Sequence, residues 1–264
     1  MEKISPISLA EHSWDNVGKL IEPPYPRPSS RVFLTIDLTP SVLEEALSDQ
    51  KVGVIIAYHP PIFRSFKRLT LDDSKQAIIL KSIAHGVGIF SPHTAINDWL
   101  AKGLGSGNVK PITPAPNPPQ DHEEAGLGRI FTLDQPVSLS TIIERVKQHL
   151  KLQHVRVATT NKHSSGGLIL TIGICAGSGS SVLSRATADI YFTGEMSHHD
   201  VLAALDKDTS VILCEHSNTE RGYLSEILKP KLEQLFKDDG EKEIIDVVAI
   251  GIEEKASISH STAL

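Results

Sequence analysis

Residues 31–59 read RVFLTIDLTPSVLEEALSDQKVGVIIAYH. An apolar run of strand length, 31–37, closes at Asp37. A helix is expected from Ser41, a good N-cap after Pro40. A second apolar run, 52–58, delivers His59 into the rigid YHPPIF segment, where Pro60 and Pro61 forbid further ladder pairing. Strand, helix and strand in that order predict parallel pairing in an α/β fold.

The same rhythm extends outward. A helix over 73–85 starts at Asp73 or Ser74, and strand 87–91 ends at SPHTA. The short helix DWLAKGLG (98–105) ends in glycine. Residues 111–119, PITPAPNPP, hold five prolines in nine positions and read as a linker or exposed loop between lobes. A smaller α+β stretch follows: a strand near 128–133, a helix from Ser138 or Ser140 to Leu150, and strands at 154–159 and 168–175 joined as a hairpin through NKHSSGG. The α/β rhythm then resumes with strand 189–193, helix 197–206, strand 210–214, a long helix from Asn218 to Lys237, and the closing strand IIDVVAIG (244–251). The expected fold is α/β and two-lobed, with a mainly parallel central sheet and a smaller α+β middle lobe. The expected domains are a discontinuous one, 1–110 plus 186–264, carrying a metal site, and a middle lobe, 120–185.

Composition narrows the function classes. The 264 residues carry a formal net charge of −6 with a pI near 6.0, which disfavours nucleic acid and anionic membranes as partners. No apolar run approaches the roughly 20 residues needed to cross a bilayer. The N-terminal residues lack a signal-peptide apolar stretch, so the expected compartment is the cytoplasm, with mitochondria or nucleus as alternatives. Cys175 and Cys214 both sit in apolar strand-like runs and read as buried small hydrophobes.

Five expected strands end in histidines or carboxylates: Asp37, His59, His93, Glu195, and the group Glu215, His216 and Glu220. Ligands of open α/β sheets sit beyond the carboxyl ends of the strands. Imidazole and carboxylate without thiolate form a donor set for Zn, Mn or Fe in an open site. His59, His216 and Glu220 are the leading metal candidates. His216 precedes an expected helix and Glu220 enters it, so the two converge on one ion from a strand–helix junction. His93 has two open roles, a ligand or a residue orienting one. Asp98 is read as a helix cap or a ligand. Glu195 is a candidate general base or a hydrogen-bond partner of the site, and Asp37 a hydrogen-bond acceptor behind it or a turn cap. Of the adjacent His198 and His199, at most one faces a site, with His199 preferred. AGSGSS (176–181) is either a tight turn or an anion cradle. Trp14 and Trp99 read as packing residues.

SWDNVG, AYHPPIF, SPHTA, INDWLAKGLG, TGEMSHHD and CEHSNTERG together resemble the NGG-one-interacting-factor-three-like family, nearly end to end and in order. Bacterial members of that family are often labelled homologues of a type 2 GTP cyclohydrolase. The resemblance implies two α/β lobes with a dinuclear metal centre between them and a toroidal hexamer. It places the family's histidine pair on Tyr58 and His59, its last His-x-x-x-Glu ligands on His216 and Glu220, and a further histidine on His93. Two departures stand out. Tyr58 replaces one histidine, and HTA runs straight into INDWL, so the loop bearing a family metal-binding aspartate is absent and Asp98 aligns with the following helix. A bridging carboxylate is what lets two cations sit roughly 3.5–4 Å apart. The expectation is therefore an incomplete site holding one metal, weakly, or none. The expected function is metal-dependent hydrolysis of a nucleotide or phosphorylated small molecule. The alternative is a non-catalytic regulatory or interaction protein, such as a transcription-factor partner or scaffold.

Overall fold

A computed structural model describes residues 1–11, 15–92, 96–238 and 245–249. The chain forms two compact units, one of 1–93 with 224–264 and one of 94–223. Among the described residues, no helix is long and apolar enough to cross a membrane.

The first unit is built on a five-stranded sheet. Its strands are β1 (Gly18–Ile21), β2 (Arg31–Thr35), β3 (Val52–Ala57), β4 (Gly88–Ser91) and the chain's final strand, Asp246–Ala249. Their order is β1-β4-β3-β2 followed by the final strand. Only the β1–β4 pair is antiparallel, and β1 is a strand the sequence did not announce. Helices α1 (Pro40–Ser48) and α2 (Ser74–Ala84) supply the crossovers that parallel pairing demands. The N-cap of α1 is Thr39 rather than Ser41. Thr39 is extended and its hydroxyl accepts the Val42 N–H at 3.3 Å, while Pro40 occupies the first helical position, where its missing N–H costs nothing. Asp73 caps α2 in the same way. Phe33, Ile55 and Ile89 pack with Leu43, Ala46 and Ile79 of the two helices into one buried cluster.

The second unit carries α3 (Ile96–Lys102), β5 (Gly107–Lys110), β6 (Arg129–Val137), α4 (Leu139–Leu150), β7 (Arg156–Ala158), β8 (Ile169–Ser178), β9 (Ile190–Glu195), α5 (His198–Leu205) and β10 (Ser210–Leu213). Its six-stranded sheet has the order β5-β6-β8-β9-β10-β7. Strands β8, β9 and β10 run parallel, and the flanking pairs are antiparallel.

This pairing departs from the sequence reading in three places. Strands β9 and β10, expected in the discontinuous domain through 186–264, pair with β8 and so belong to the second unit. The proline-rich stretch lies inside that unit, where Thr113–Pro114 pairs with Gly126–Leu127. The 154–175 hairpin does not form. β7 pairs with β10, and NKHSSGG makes a single helical turn, Asn161–Ser164, capped by the Thr160 hydroxyl. The chain then re-enters the first unit at Leu224.

The long helix expected over 218–237 is broken. It comprises a 3-10 turn (Ser217–Thr219), one helical turn (Arg221–Tyr223), a π-helical stretch (Leu224–Leu228) and a regular helix (Lys229–Asp238). Pro230 has no N–H for the Glu226 carbonyl four residues back, which accounts for the irregular stretch just before the regular helix.

Candidate metal-binding residues and family membership

In the first unit, β2 and β3 lie side by side and end together. Past the strand ends the Tyr58 N–H still donates to the Thr35 carbonyl at 2.8 Å, and the His59 N–H to the Ile36 carbonyl at 2.9 Å. The prolines at 60 and 61 then stop the ladder. This register sets His59 beside Asp37, with Nδ1 to Oδ1 at 2.9 Å. A carboxylate only accepts, so Nδ1 carries a proton, and in the neutral ring Nε2 is left as the lone-pair nitrogen.

The second unit repeats this device. β9 ends at Glu195, and the segment after β10 carries His216, with His216 Nδ1 to Glu195 Oε1 at 2.9 Å. In the neutral ring His216 Nε2 is again the lone-pair nitrogen, and Nε2 lies 3.5 Å from Glu220 Oε1. Glu220 is 3% exposed, brought back toward His216 by the 3-10 turn Ser217–Thr219. A buried carboxylate beside an imidazole nitrogen is a pair that could hold a metal ion.

The backbone around this half is unusual. Glu215 has φ +68, a left-handed conformation rare for a side-chain-bearing residue, and Arg156 holds its carboxylate at 2.9 Å. Gly177 has φ +61, and a Cβ there would stand 2.8 Å from His216 Nε2 and 3.0 Å from Glu220 Oε1. The hydroxyl of Thr219 accepts the Gly177 N–H at 2.8 Å and donates to the His216 carbonyl at 2.7 Å, tying the two loops together. Asn97 accepts the Ala176 N–H at 2.7 Å, and the Glu195 carbonyl accepts the Gly179 N–H at 3.3 Å. The 176–181 loop therefore gives three amides to protein acceptors. It shapes the space around His216 and Glu220 rather than forming a phosphate nest. The sequence singled out Gly177 only within AGSGSS, as a tight turn or anion cradle, and gave Asn97 and Thr219 no role at the site.

The remaining candidates separate clearly. Asp98 is engaged by Arg129 through two bonds, Nε–Oδ1 at 2.6 Å and Nη2–Oδ2 at 2.8 Å, and that arginine is only 6% exposed. Asp98 thus neutralises a buried cation and is neither a cap nor a ligand. Arg129 needs it, because a buried guanidinium without a carboxylate is costly. His198 and His199 are exposed on the first turn of α5, their rings 5.5 Å apart. Glu195 takes the hydrogen-bonding role toward His216. His93 and Trp14 lie outside the described residues. Trp99 packs edge-on to Tyr223, as a core residue should. Burial, with Glu220 nearby, pushes the Cys175 thiol up to about 11. Burial and Glu215 push Cys214 up to about 12, so both remain neutral thiols near pH 7.

Comparison with known proteins agrees with this architecture. The family described as Duf34/NIF3 (NGG1p interacting factor 3) matches residues 1–251. "Protein NIF3 homolog" of Schizosaccharomyces pombe is 46% identical over 250 residues, covering 91% of this chain and 89% of its own. Human "NIF3-like protein 1" is 38% identical, covering 84% of this chain and 82% of its own. Among solved structures, Staphylococcus aureus hypothetical protein SA1388 superposes with a TM-score of 0.78 at 25% identity, covering 97% of this chain and 95% of its own. Reduced HcgD from Methanocaldococcus jannaschii shares the fold, with a TM-score of 0.74 at 19% identity over 95% of this chain and 94% of its own. The match to residues 1–251, with relatives well above 30% identity, makes the chain a member of the Duf34/NIF3 family.

Proposed function

We propose that His59, His216 and Glu220 supply the ligand atoms for one divalent metal ion. The observation that carries this reading is the repeated carboxylate–imidazole pair, Asp37–His59 and Glu195–His216. Each carboxylate fixes its ring and tautomer, and such outer partners raise a ligand's basicity. The donor set is two imidazoles and a buried carboxylate with no thiolate, which suits Zn, Mn or Fe. A divalent ion held there supplies Lewis acidity toward a phosphoryl or carbonyl oxygen and makes water more acidic. With three protein ligands, coordination positions remain for substrate and water. The reaction this supports is hydrolysis of a nucleotide or another phosphorylated small molecule. The chain's own contribution is positional: Asp37 and Glu195 orient the rings, and the Thr219 hydroxyl fixes the loop that bears His216.

Elemental analysis of purified protein beside His216→Ala and a variant with an aspartate-bearing loop inserted after Ala95 tests the metal. The expected result is about one ion per chain in the parent and none in His216→Ala. Protein loaded with metal that hydrolyses no nucleotide or phosphoester removes the hydrolase reading. A second reading, a non-catalytic interaction protein, is favoured by Tyr58 in place of a histidine beside His59. It predicts that His216→Ala leaves partner binding intact. We also propose homo-oligomerisation, with a solution mass near six times the 28.7 kDa chain as the expected measurement.

A further inference from the structure

Among the described residues, four besides glycine have a left-handed backbone: Asp121, Lys151, Asp208 and Glu215. Lys151 ends α4, and Asp208 follows α5, where left-handed residues commonly terminate helices. Glu215 has no such reason. It stands between β10 and the 3-10 turn, at φ +68, and directly precedes His216. This region disfavours a side-chain-bearing residue by roughly five- to thirtyfold in population. Its φ aims everything that follows, so a return of Glu215 to negative φ would swing the His216 ring away from Glu195. Such outliers persist only where the surroundings hold them.

Several contacts hold this turn. The Cys214 N–H donates to the Thr193 and Gly194 carbonyls at 3.1 and 3.2 Å, and the Asn218 amide donates to the Cys214 carbonyl at 2.8 Å. Gly194 packs so closely that a Cβ there would stand 2.9 Å from His216 Cα. At Glu215 itself the holding contact is Arg156. Arg156 lies on edge strand β7 opposite Leu213, and its Nη2 stands 2.9 Å from Glu215 Oε1. An exposed pair of this kind shifts an equilibrium by up to roughly fivefold, comparable to the low end of the strain it opposes. We infer that Arg156 is a positioning residue for His216: it clamps the strained Glu215 turn and so keeps the ring on Glu195. Charge alone gives the opposite expectation, since a cation near His216 repels a divalent ion and its removal would tighten binding.

Rescue tests the clamp on the full chain. Arg156→Gln should weaken Zn or Mn binding about two- to fivefold, as the competent turn becomes less populated. Adding Glu215→Gly removes the strain and should restore parental affinity within about twofold, because glycine adopts positive φ freely. Adding Glu215→Ala instead gives the same charge but keeps the strain, and should leave the loss in place. Calorimetric metal titration reads these affinities, and that readout alone rests on the metal site proposed above. The second readout is the NMR signal of the His216 Nδ1 proton in metal-free protein. It should weaken in Arg156→Gln and in the alanine double variant, and return in the glycine one, so the clamp is decided even if the parent binds no metal. Unchanged or tighter metal binding in Arg156→Gln, or glycine and alanine double variants that behave alike in either readout, overturns the inference.

Discussion

Replacing Gly177 by alanine probes the candidate site without touching a ligand residue. The backbone there is left-handed, φ +61, which costs an L-residue about 1–2 kcal/mol. The new methyl would also stand 2.8 Å from His216 Nε2 and 3.0 Å from Glu220 Oε1, so both side chains must withdraw. Overpacking of that kind typically costs about 1–3 kcal/mol. The combined loss is about 2–5 kcal/mol, a melting shift of roughly 4–20 °C for a chain of this size. Gly166 supplies the control, since its φ is +91 and a Cβ there meets nothing within 4 Å. Gly166→Ala carries backbone strain alone. Metal sites tolerate only about 0.5 Å of ligand displacement, so Zn or Mn affinity of Gly177→Ala should fall at least about tenfold. Gly166→Ala should hold parental affinity within about twofold. Calorimetric metal titration beside thermal melting of the three proteins decides the matter. Parental metal affinity in Gly177→Ala, or an equal loss in Gly166→Ala, refutes the argument.

Three further outcomes follow from the geometry. Glu195→Ala should lower metal affinity about 10–100-fold with little change in melting temperature, while Glu195→Gln, which keeps an acceptor oxygen toward His216 Nδ1, should lose less. Burial pushes the Asp189 carboxyl upward, but Lys162 at 2.7 Å, the Leu170 and Thr171 amides and the Thr171 hydroxyl outweigh it and hold it at about 2. Its lowered value means stability that is full above the unfolded carboxyl range near 4 and is lost as pH falls toward 2. Asp189→Asn should cost about 1–2 kcal/mol at pH 7 after allowing for solvent screening, and should flatten the urea midpoint against pH over that window. His163 is 4% exposed and lies 2.7 Å from the Ser210 hydroxyl; burial first, then Lys162, lower its pKa. The folded state therefore keeps His163 neutral, and its contribution is full above about 6.5 and declines as pH drops toward the lowered folded value. Denaturant midpoints measured from pH 7 to 5 should slope downward in the parent and less so in His163→Leu.

Much of the local structure was legible in the chain. The 31–59 stretch gave its strand, helix and strand because period and punctuation act over a few residues. The starts of α1 and α2 were read to within two residues, since Asp73 and Thr39–Pro40 satisfy or omit the same first-turn donors in any context. Sheet membership was not legible. Nothing within 189–214 distinguishes pairing with β8 from pairing with β3; that choice rests on contacts distant in sequence. β1 was missed because four residues, GKLI, carry too little pattern.

The same division holds at the candidate site. Sequence alone determined which residue types arrive at strand ends, because a buried parallel strand must surface at its carboxyl end and a His or carboxylate there faces solvent or ligand. That singled out Asp37, His59, Glu195, His216 and Glu220. Only the tertiary structure decided their roles. Asp98 went to a buried arginine, Glu195 and Asp37 went to imidazole Nδ1 atoms, and Gly177 became the cradle. Hydrogen bonds are made across space, between strands whose neighbours are fixed by the packing of the whole sheet, and no local pattern of residues encodes which acceptor a given donor will meet.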